Sequence, residues 1–510
     1  MNSEVCEEVT SFFGNIMENA IFEKDVTSRK LISVVLVTLF TGPSSWVLLC
    51  ILYNVFLHPL RKYPGPKSWH ATRLPWCWYQ YHGCLNRKLL ELHQQYGKTV
   101  RVAPNELSFI SEAAWKTIYG SRSNEMMKDP VFSLHTPTGV QNILTADRPT
   151  HTRQRRLLSH AFSEKALREQ EAIIQRYVKR LMEQLALRSA YDLIRDLSFG
   201  EQFGCLENGE YDPFVQSIKD ISKELTMIQM FKYYELLGLR RFFMPKAIAG
   251  TRAQNMQRVI QTVDRRVKSK TNRKDFLHYI LAAMETDKGM SRAEMDVNTF
   301  SLSIAGSESS ATLLCGFVFY TLTHPTVYQK LVTEVREAFQ SEDQIVMANV
   351  HHLTYLNAVL QECLRVYPPV AVTLPRVVPE GGEVIDGGYV PAGTTVGVNH
   401  FACYHDQRNF YRPNEFLPER WMPGAEDETS LFSHDQRNCL QPFSLGPRNC
   451  LGKNLAWAEI RLITVHLIYL FDMELDRSVG DRWTERQKVF GFWDKPPLLV
   501  HLMPKHKTTM

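Results

Sequence analysis

Cys-x-x-Cys does not occur once in the 510 residues, although the chain carries ten cysteines. They stand apart at positions 6, 50, 77, 84, 205, 315, 363, 403, 439 and 450. That spacing excludes a zinc ribbon and argues for a reducing compartment over a disulfide framework. Asn-x-Ser/Thr acceptors are absent as well, which agrees with a domain that never meets a secretory lumen. No Ser/Gly-rich linker, internal repeat or long charge run divides the chain, so one large domain is expected behind an N-terminal extension. No flavin or nicotinamide fingerprint is found, so any electrons must come from another protein. A formal charge of +5 is mild for this length and gives no sign of nucleic-acid binding.

With 44% hydrophobic residues the chain can bury a large core. Residues 31–57 hold no charge and are rich in Leu, Val and Phe, a run longer than the ~20 residues a membrane-crossing helix needs. Gly42-Pro43-Ser44-Ser45 interrupts it, so a kinked spanning anchor competes with a re-entrant or interfacial segment. Membrane helices tolerate Gly and Pro, which favours spanning. The long acidic stretch before the run disfavours a cleaved signal peptide. Basic residues on both flanks, Arg29 and Lys30 against Arg61 and Lys62, leave orientation open. Tyr63-Pro64-Gly65-Pro66 reads as a stiff hinge. The expected organisation is a polar extension at 1–30, a transmembrane anchor at 31–57, a proline-rich hinge at 58–67 and a catalytic domain at 68–510.

Within that domain Asn86–Tyr96 reads as a helix stopped by Gly97, and Lys98–Val102 and Leu107–Ile110 as the strands of a hairpin. Arg168–Leu187 has the apolar spacing of a long amphipathic helix, and the chain stays mostly helical to about Lys288. Ser291-x-x-Glu294 is a capping box opening a long apolar helix that His324-Pro325 ends. Two shorter helices follow, the second ending at Tyr367-Pro368-Pro369, and residues 370–400 alternate in β fashion. The fold class expected is mostly α, an α+β domain with a small sheet near each end.

Near the C-terminus stands Phe443-Ser-Leu-Gly446-Pro-Arg448-Asn-Cys450-Leu-Gly452, running into an apolar helix. A helix N-terminus favours a thiolate there, and the glycines allow tight turns and room for something flat. A lone soft thiolate suits one axial position on an iron macrocycle better than tetrahedral zinc. These residues resemble the haem-binding loop of the cytochrome P-450 family, Phe-x-x-Gly-x-Arg-x-Cys-x-Gly, at all five fixed positions. The resemblance extends from about residue 60 to the end and implies the cytochrome P-450 fold.

It implies further roles residue by residue. Cys450 would be the axial ligand of haem b (heme b, iron protoporphyrin IX), in a loop shaped by Phe443, Gly446 and Gly452. Ala305-Gly306-Ser307-Glu308-Ser309 is similar to the family's Ala/Gly-Gly-x-acid-Thr helix, so Ala305 would border the haem, and Glu308 and Ser309 would deliver protons to dioxygen. Serine replaces the usual threonine, and Ser310 and Thr312 are the other hydroxyls nearby. His151, Arg155, Arg376 and Arg448 stand where the family pairs its haem propionates, His151 in place of a tryptophan. Arg153 is read as part of a solvated helix face, and Arg156 and Lys453 as cations that could greet an acidic electron donor. Glu362 and Arg365, with Arg420 of Pro418-Glu419-Arg420-Trp421, would brace the cysteine loop without acting in catalysis.

Substrate contacts are expected, by order along the chain, from Phe132–Ile143, Phe300–Ile304, Val370–Leu374 and Val489–Trp493, which would make an apolar pocket. Tyr233–Phe243 mixes aromatics and arginines like a membrane-surface segment. The activity implied is a monooxygenase placing one atom of O2 into a hydrophobic small molecule, by hydroxylation or epoxidation. Electrons would come from NADPH through a cytochrome reductase. The domain would sit on the cytosolic face of the endoplasmic reticulum, held by a single span in membrane lipid. The texture of Val390–Gly397 and Phe416–Trp421 is similar to fungal members that tailor secondary metabolites such as terpenoids or polyketides. A reductase-independent haem-thiolate isomerase or dehydratase, and a haem sensor without turnover, are the alternatives.

Overall fold

The computed structural model describes residues 44–122, 124–133, 139–184, 213–246, 248, 250–269 and 289–505. The polar extension and the first part of the anchor run lie outside them, as do the ends of the Arg168–Leu187 helix and of the helical middle. The described chain begins with an apolar helix α1, Ser44–Leu57, whose last turn, Tyr53–Leu57, is π-wound. It is shorter than a full span, so its membrane role depends on the run that precedes it.

Among the described residues ten further helices of eight residues or more carry the domain: α2 (Leu74–Tyr81), α3 (Leu85–Tyr96), α4 (Arg148–Ser159), α5 (Glu164–Gln184), α6 (Pro213–Tyr233), α7 (Thr251–Lys268), α8 (Arg292–Leu322), α9 (Pro325–Ala338), α10 (Thr354–Val366) and α11 (Lys453–Leu470). Helix α8 starts where the capping box requires. Ser291 Oγ accepts from Glu294 N–H at 3.2 Å, and Glu294 Oε2 accepts from Ser291 N–H at 2.9 Å. Pro325 opens α9 directly behind it. Among the described residues α8 is the one helix long and apolar enough to cross a membrane, yet two-thirds of its apolar window is buried inside the fold. It is a core helix. Its serines bond back onto its own backbone, Ser301 to Val297 O, Ser303 to Thr299 O and Ser307 to Ser303 O, which satisfies hydroxyls that burial would otherwise strand. The largest apolar core lies between α5, α8, α9, α10 and α11, around Tyr177, Phe317, Leu331, Leu360 and Ile463.

The strands are β1 (Thr99–Ala103), β2 (Glu106–Phe109), β3 (Met127–Lys128), β4 (Arg376–Val377), β5 (Glu383–Ile385), β6 (Gly388–Val390), β7 (Thr395–Val398), β8 (Phe471–Leu475), β9 (Lys488–Val489), β10 (Trp493–Asp494) and β11 (Val500–Pro504). The two regions expected to form separate sheets are joined. β1 and β2 make the expected hairpin, but β2 then pairs parallel with β7, and the sheet runs β1-β2-β7-β4-β3. All four residues of β7 are buried, as a strand covered on both faces must be. The pairs β8–β11 and β9–β10 close the C-terminal part. The α-rich α+β class holds, with helices dominating and small sheets at the edge.

Candidate active site

The cysteine loop is built by its own backbone. Gly446 has φ +69°, and a Cβ there would stand 2.1 Å from Tyr119 O, so glycine is required both by the turn and by the neighbouring chain. Cys450 N–H donates to Phe443 O at 2.8 Å, and the half-buried Phe443 ring tilts against Trp457 at 6.1 Å. Gly452 is the N-cap of α11. A Cβ on Gly452 would reach only Phe162, at an ordinary 3.9 Å, so the protein frame itself does not demand glycine there. Cys450 is exposed on one side. Burial is the larger influence and raises the thiol above its ordinary value, with Gly452 N–H, Arg155 and Lys453 pulling the other way, so a thiolate there gains most from a metal partner.

Arg155 does not stand free for an anion. It donates to Asn449 O at 2.7 Å and Asn449 Oδ1 at 2.5 Å, clamping the residue before the cysteine from helix α4. Arg153 is likewise off the solvated face expected for it. It ion-pairs with Glu294 of the capping box and donates to Gly289 O at 2.8 Å. The Arg155–Asn449 and Arg153–Glu294 contacts have one cause: α4 packs against chain distant in sequence, which its local pattern does not record.

Beside the loop, positive charge is concentrated and only partly paired. Arg448 ion-pairs with Glu125 and donates to Ala146 O at 2.7 Å, but its Nη2 is buried without a hydrogen-bond partner. Arg376 Nη1 is buried and unpartnered too. Burial pushes the Arg376 guanidinium down to about 10, with Arg448 adding to the effect. Lys128 is pushed well below the usual ammonium range by burial, Arg376 and Arg448. Buried His151 is pushed to about 3 by burial and then by Arg448, Lys128, Arg155 and Arg376. Orphaned guanidinium N–H groups in such a cluster are costly unless an anion meets them. A group bearing two carboxylates and presenting a metal to Cys450 fits these donors, and haem b is such a group.

On α8, Ala305 is exposed and Ser309 half-buried, in a helix whose flanking residues are mostly buried. The acid–alcohol pair differs from the one expected. Ser309 Oγ is turned back to Ala305 O at 2.6 Å, and Ser310 Oγ donates to Glu459 Oε2 at 3.2 Å. The hydroxyl against Glu308 is that of Thr312, donating to Oε1 at 3.3 Å. Lys495, which no local motif marks, ion-pairs with Glu308 and donates to Thr312 Oγ1 at 2.8 Å. A helix presents residues four apart on one face, so Thr312 meets Glu308 and Ser309 does not.

Behind the loop lies a fully buried ionic knot. Glu362 receives Arg365 Nη2 at 2.6 Å, Arg420 Nε at 3.1 Å, Trp421 Nε1 at 2.8 Å and Leu417 N–H at 3.0 Å. Arg420 also pairs with Asp435, and Arg365 donates to Tyr404 O and Pro413 O. Burial would raise Glu362, but Arg365, Arg420 and the Leu417 N–H hold it below the ordinary carboxylate value. The knot ties α10 to the segment leading into the cysteine loop.

The sequence profile described as Cytochrome P450 matches residues 64–502. The chain belongs to the cytochrome P450 family. Relatives span nearly its whole length. The cytochrome P450 monooxygenase astJ of Aspergillus oryzae is 39% identical over 484 residues, covering 91% of this chain and 96% of the relative. Averantin hydroxylase of Dothistroma septosporum is 40% identical over 501 residues, covering 94% of each. The cytochrome P450 monooxygenase stcF of Emericella nidulans is 42% identical over 475 residues, covering 90% of this chain and 97% of the relative. In this P450 the segments expected to touch substrate are structurally mixed. Phe300, Val489 and Trp493 are buried in apolar clusters, while Ile304 and Leu374 are half-buried. Part of Phe132–Ile143 lies outside the described residues.

Proposed function

We propose that this P450 is a membrane-attached monooxygenase that hydroxylates a hydrophobic fungal secondary metabolite, such as a terpenoid or polyketide. Two relatives named averantin hydroxylase support hydroxylation over epoxidation. The observation that carries the reading is the exposed Cys450 at the start of α11, set beside buried guanidinium groups with unanswered donors. Cys450 would hold the iron of haem b through its sulfur. Arg376 and Arg448 would take its propionates, with His151 donating or packing beside them. When bound, haem supplies the activation of O2, one atom going to substrate and the other to water.

The chain's own groups do the rest. Arg155 and the Gly446 turn hold the thiolate in place, and the Glu362 knot keeps the loop from relaxing. Glu308 and Thr312 hold an exchangeable proton on α8, while Ser309 stays bonded to Ala305 O. An NADPH-dependent reductase would supply electrons, and Arg156 and Lys453 remain the cations offered to it.

Attachment to the cytosolic face of the endoplasmic reticulum by a single N-terminal span is part of the same proposal. It is supported by α1, whose Trp46 is 68% exposed and whose Asn54 Nδ2 donates to Ala71 O at 3.1 Å, fixing the helix to the domain. Tyr234 bonds Thr72 at 3.3 Å, which brings the exposed Leu236, Leu239, Phe242 and Phe243 close to that anchor.

The test is full-length protein with a reductase, NADPH and ¹⁸O-labelled dioxygen, offered a graded set of apolar metabolites. One labelled oxygen in the product is expected for at least one of them. Product formation that persists without NADPH and O2 would replace the reading with an isomerase or dehydratase, and absence of any ligand-induced change in the haem spectrum would favour a sensor.

A further inference from the structure

Asp494, the last residue of β10, and Lys495, which directly follows it, point to opposite sides. Successive side chains of an extended strand alternate, and the alternation is followed here. Trp493 points inward, its Nε1 donating to Pro368 O at 2.8 Å and its ring stacking on Tyr367 at 4.7 Å. Asp494 turns the other way and meets α6, with Lys219 Nζ at 2.6 Å and Lys223 Nζ at 3.4 Å. Lys495 turns inward again and meets Glu308 and Thr312 of α8.

The hairpin is not free to drift. Val489 N–H donates to Gly83 O at 2.8 Å, and Lys495 precedes Pro496, which confines its backbone to extended conformations. Pro496 O accepts from buried Trp483 at 3.2 Å. Lys495 reaches Glu308 from a backbone that its neighbours already restrict.

We propose that Asp494 and Lys495 form a clamp in which Lys495 positions the Glu308–Thr312 proton-relay pair and Asp494 makes that position depend on helix α6. The inference rests on the monooxygenase reading for what the pair does, and on geometry alone for the coupling. Lys495 is a positioning residue. It touches the acid and the hydroxyl, and its ammonium keeps the Glu308 carboxylate against Thr312 instead of Ser309. Helix α6 ends at Tyr233, where the exposed apolar segment begins, so a displacement of α6 by an entering apolar molecule would reach Glu308 through two consecutive residues.

The experiment uses the full-length protein carrying its prosthetic group. In resting enzyme, amide hydrogen exchange is followed for 213–233 and for 303–313 in D494N, which removes the charge that pairs with Lys219 and Lys223 of α6. Exchange is expected to rise in both segments, by about tenfold. A rise in α6 alone would overturn the coupling. During NADPH-driven turnover, K495M is expected to release about tenfold more hydrogen peroxide per NADPH and to alter the solvent isotope effect, with K495R restoring both toward wild type. Wild-type values in K495M would overturn the positioning role. Failure of the wild-type protein to show a thiolate-type ferrous carbonyl spectrum would defeat the monooxygenase reading, and the D494N exchange result would still decide the clamp.

Discussion

Arg376 and Arg448 each bury one guanidinium nitrogen with no hydrogen-bond partner, within a cluster that also pushes Lys128 and His151 toward neutrality. Unanswered cations of this kind destabilise a protein that has nothing to pair with them. Replacing Arg376 by Met should therefore act with opposite signs on two measurements. Chemical denaturation of the haem-free protein should show a gain of about 1–3 kcal/mol. Haem transfer to a competing acceptor should become faster.

Glu362 is the centre of a knot in which two arginines share one carboxylate. Glu362→Gln would leave both guanidinium groups buried with half their charge unmatched, a loss of about 3–5 kcal/mol. Thermal unfolding and haem-to-protein ratio should fall together. Arg365→Lys should not rescue the fold, because one ammonium cannot satisfy the fork that reaches Glu362, Tyr404 O and Pro413 O.

The two loop glycines should separate cleanly. Gly446→Ala forces a side chain into Tyr119 O at a positive φ, so folding stability should drop by at least about 2 kcal/mol with or without haem. Gly452→Ala meets only open space and Phe162 at 3.9 Å. Unfolding of its haem-free form should match wild type, and any change should be confined to haem binding.

Much of this arrangement is local and therefore readable in the chain. The capping box of α8, the proline starting α9 and the glycine turn at Cys450 each lie within a few residues, and local hydrogen bonding enforces them. Glu362 and Arg365 lie one turn apart on a single helix, so their pairing also follows from sequence. What escaped the sequence is contact at a distance. Lys495 lies 187 residues from Glu308, and Arg155 lies 294 residues from Asn449. The parallel partnership of β2 and β7 joins residue 106 to residue 395. No periodicity signals such a contact, because its enthalpy is gained only after the chain has closed a long loop. The substitution of Thr312 for Ser309 as partner of Glu308 was within reach, since the spacing of four favours it.

His93 makes acid stability testable. It lies buried between Gly97 O and Ser108 Oγ, each 2.9 Å from a ring nitrogen, and burial pushes it from 6.5 to about 4. The unfolded chain binds the proton first, so stability present at neutral pH is lost as pH falls from about 6.5 through 4. The size is roughly 3 kcal/mol for this one group. Urea midpoints measured across that range should slope less in His93→Gln than in wild type.

The most direct trial is the absorption spectrum of the ferrous carbonyl complex of the purified full-length chain. Wild type should give the red-shifted band of a thiolate-ligated iron, and Cys450→His should convert it to the histidine-ligated type. Protein that purifies in folded form without porphyrin, or a wild-type band already of the histidine type, would contradict the assignment of Cys450.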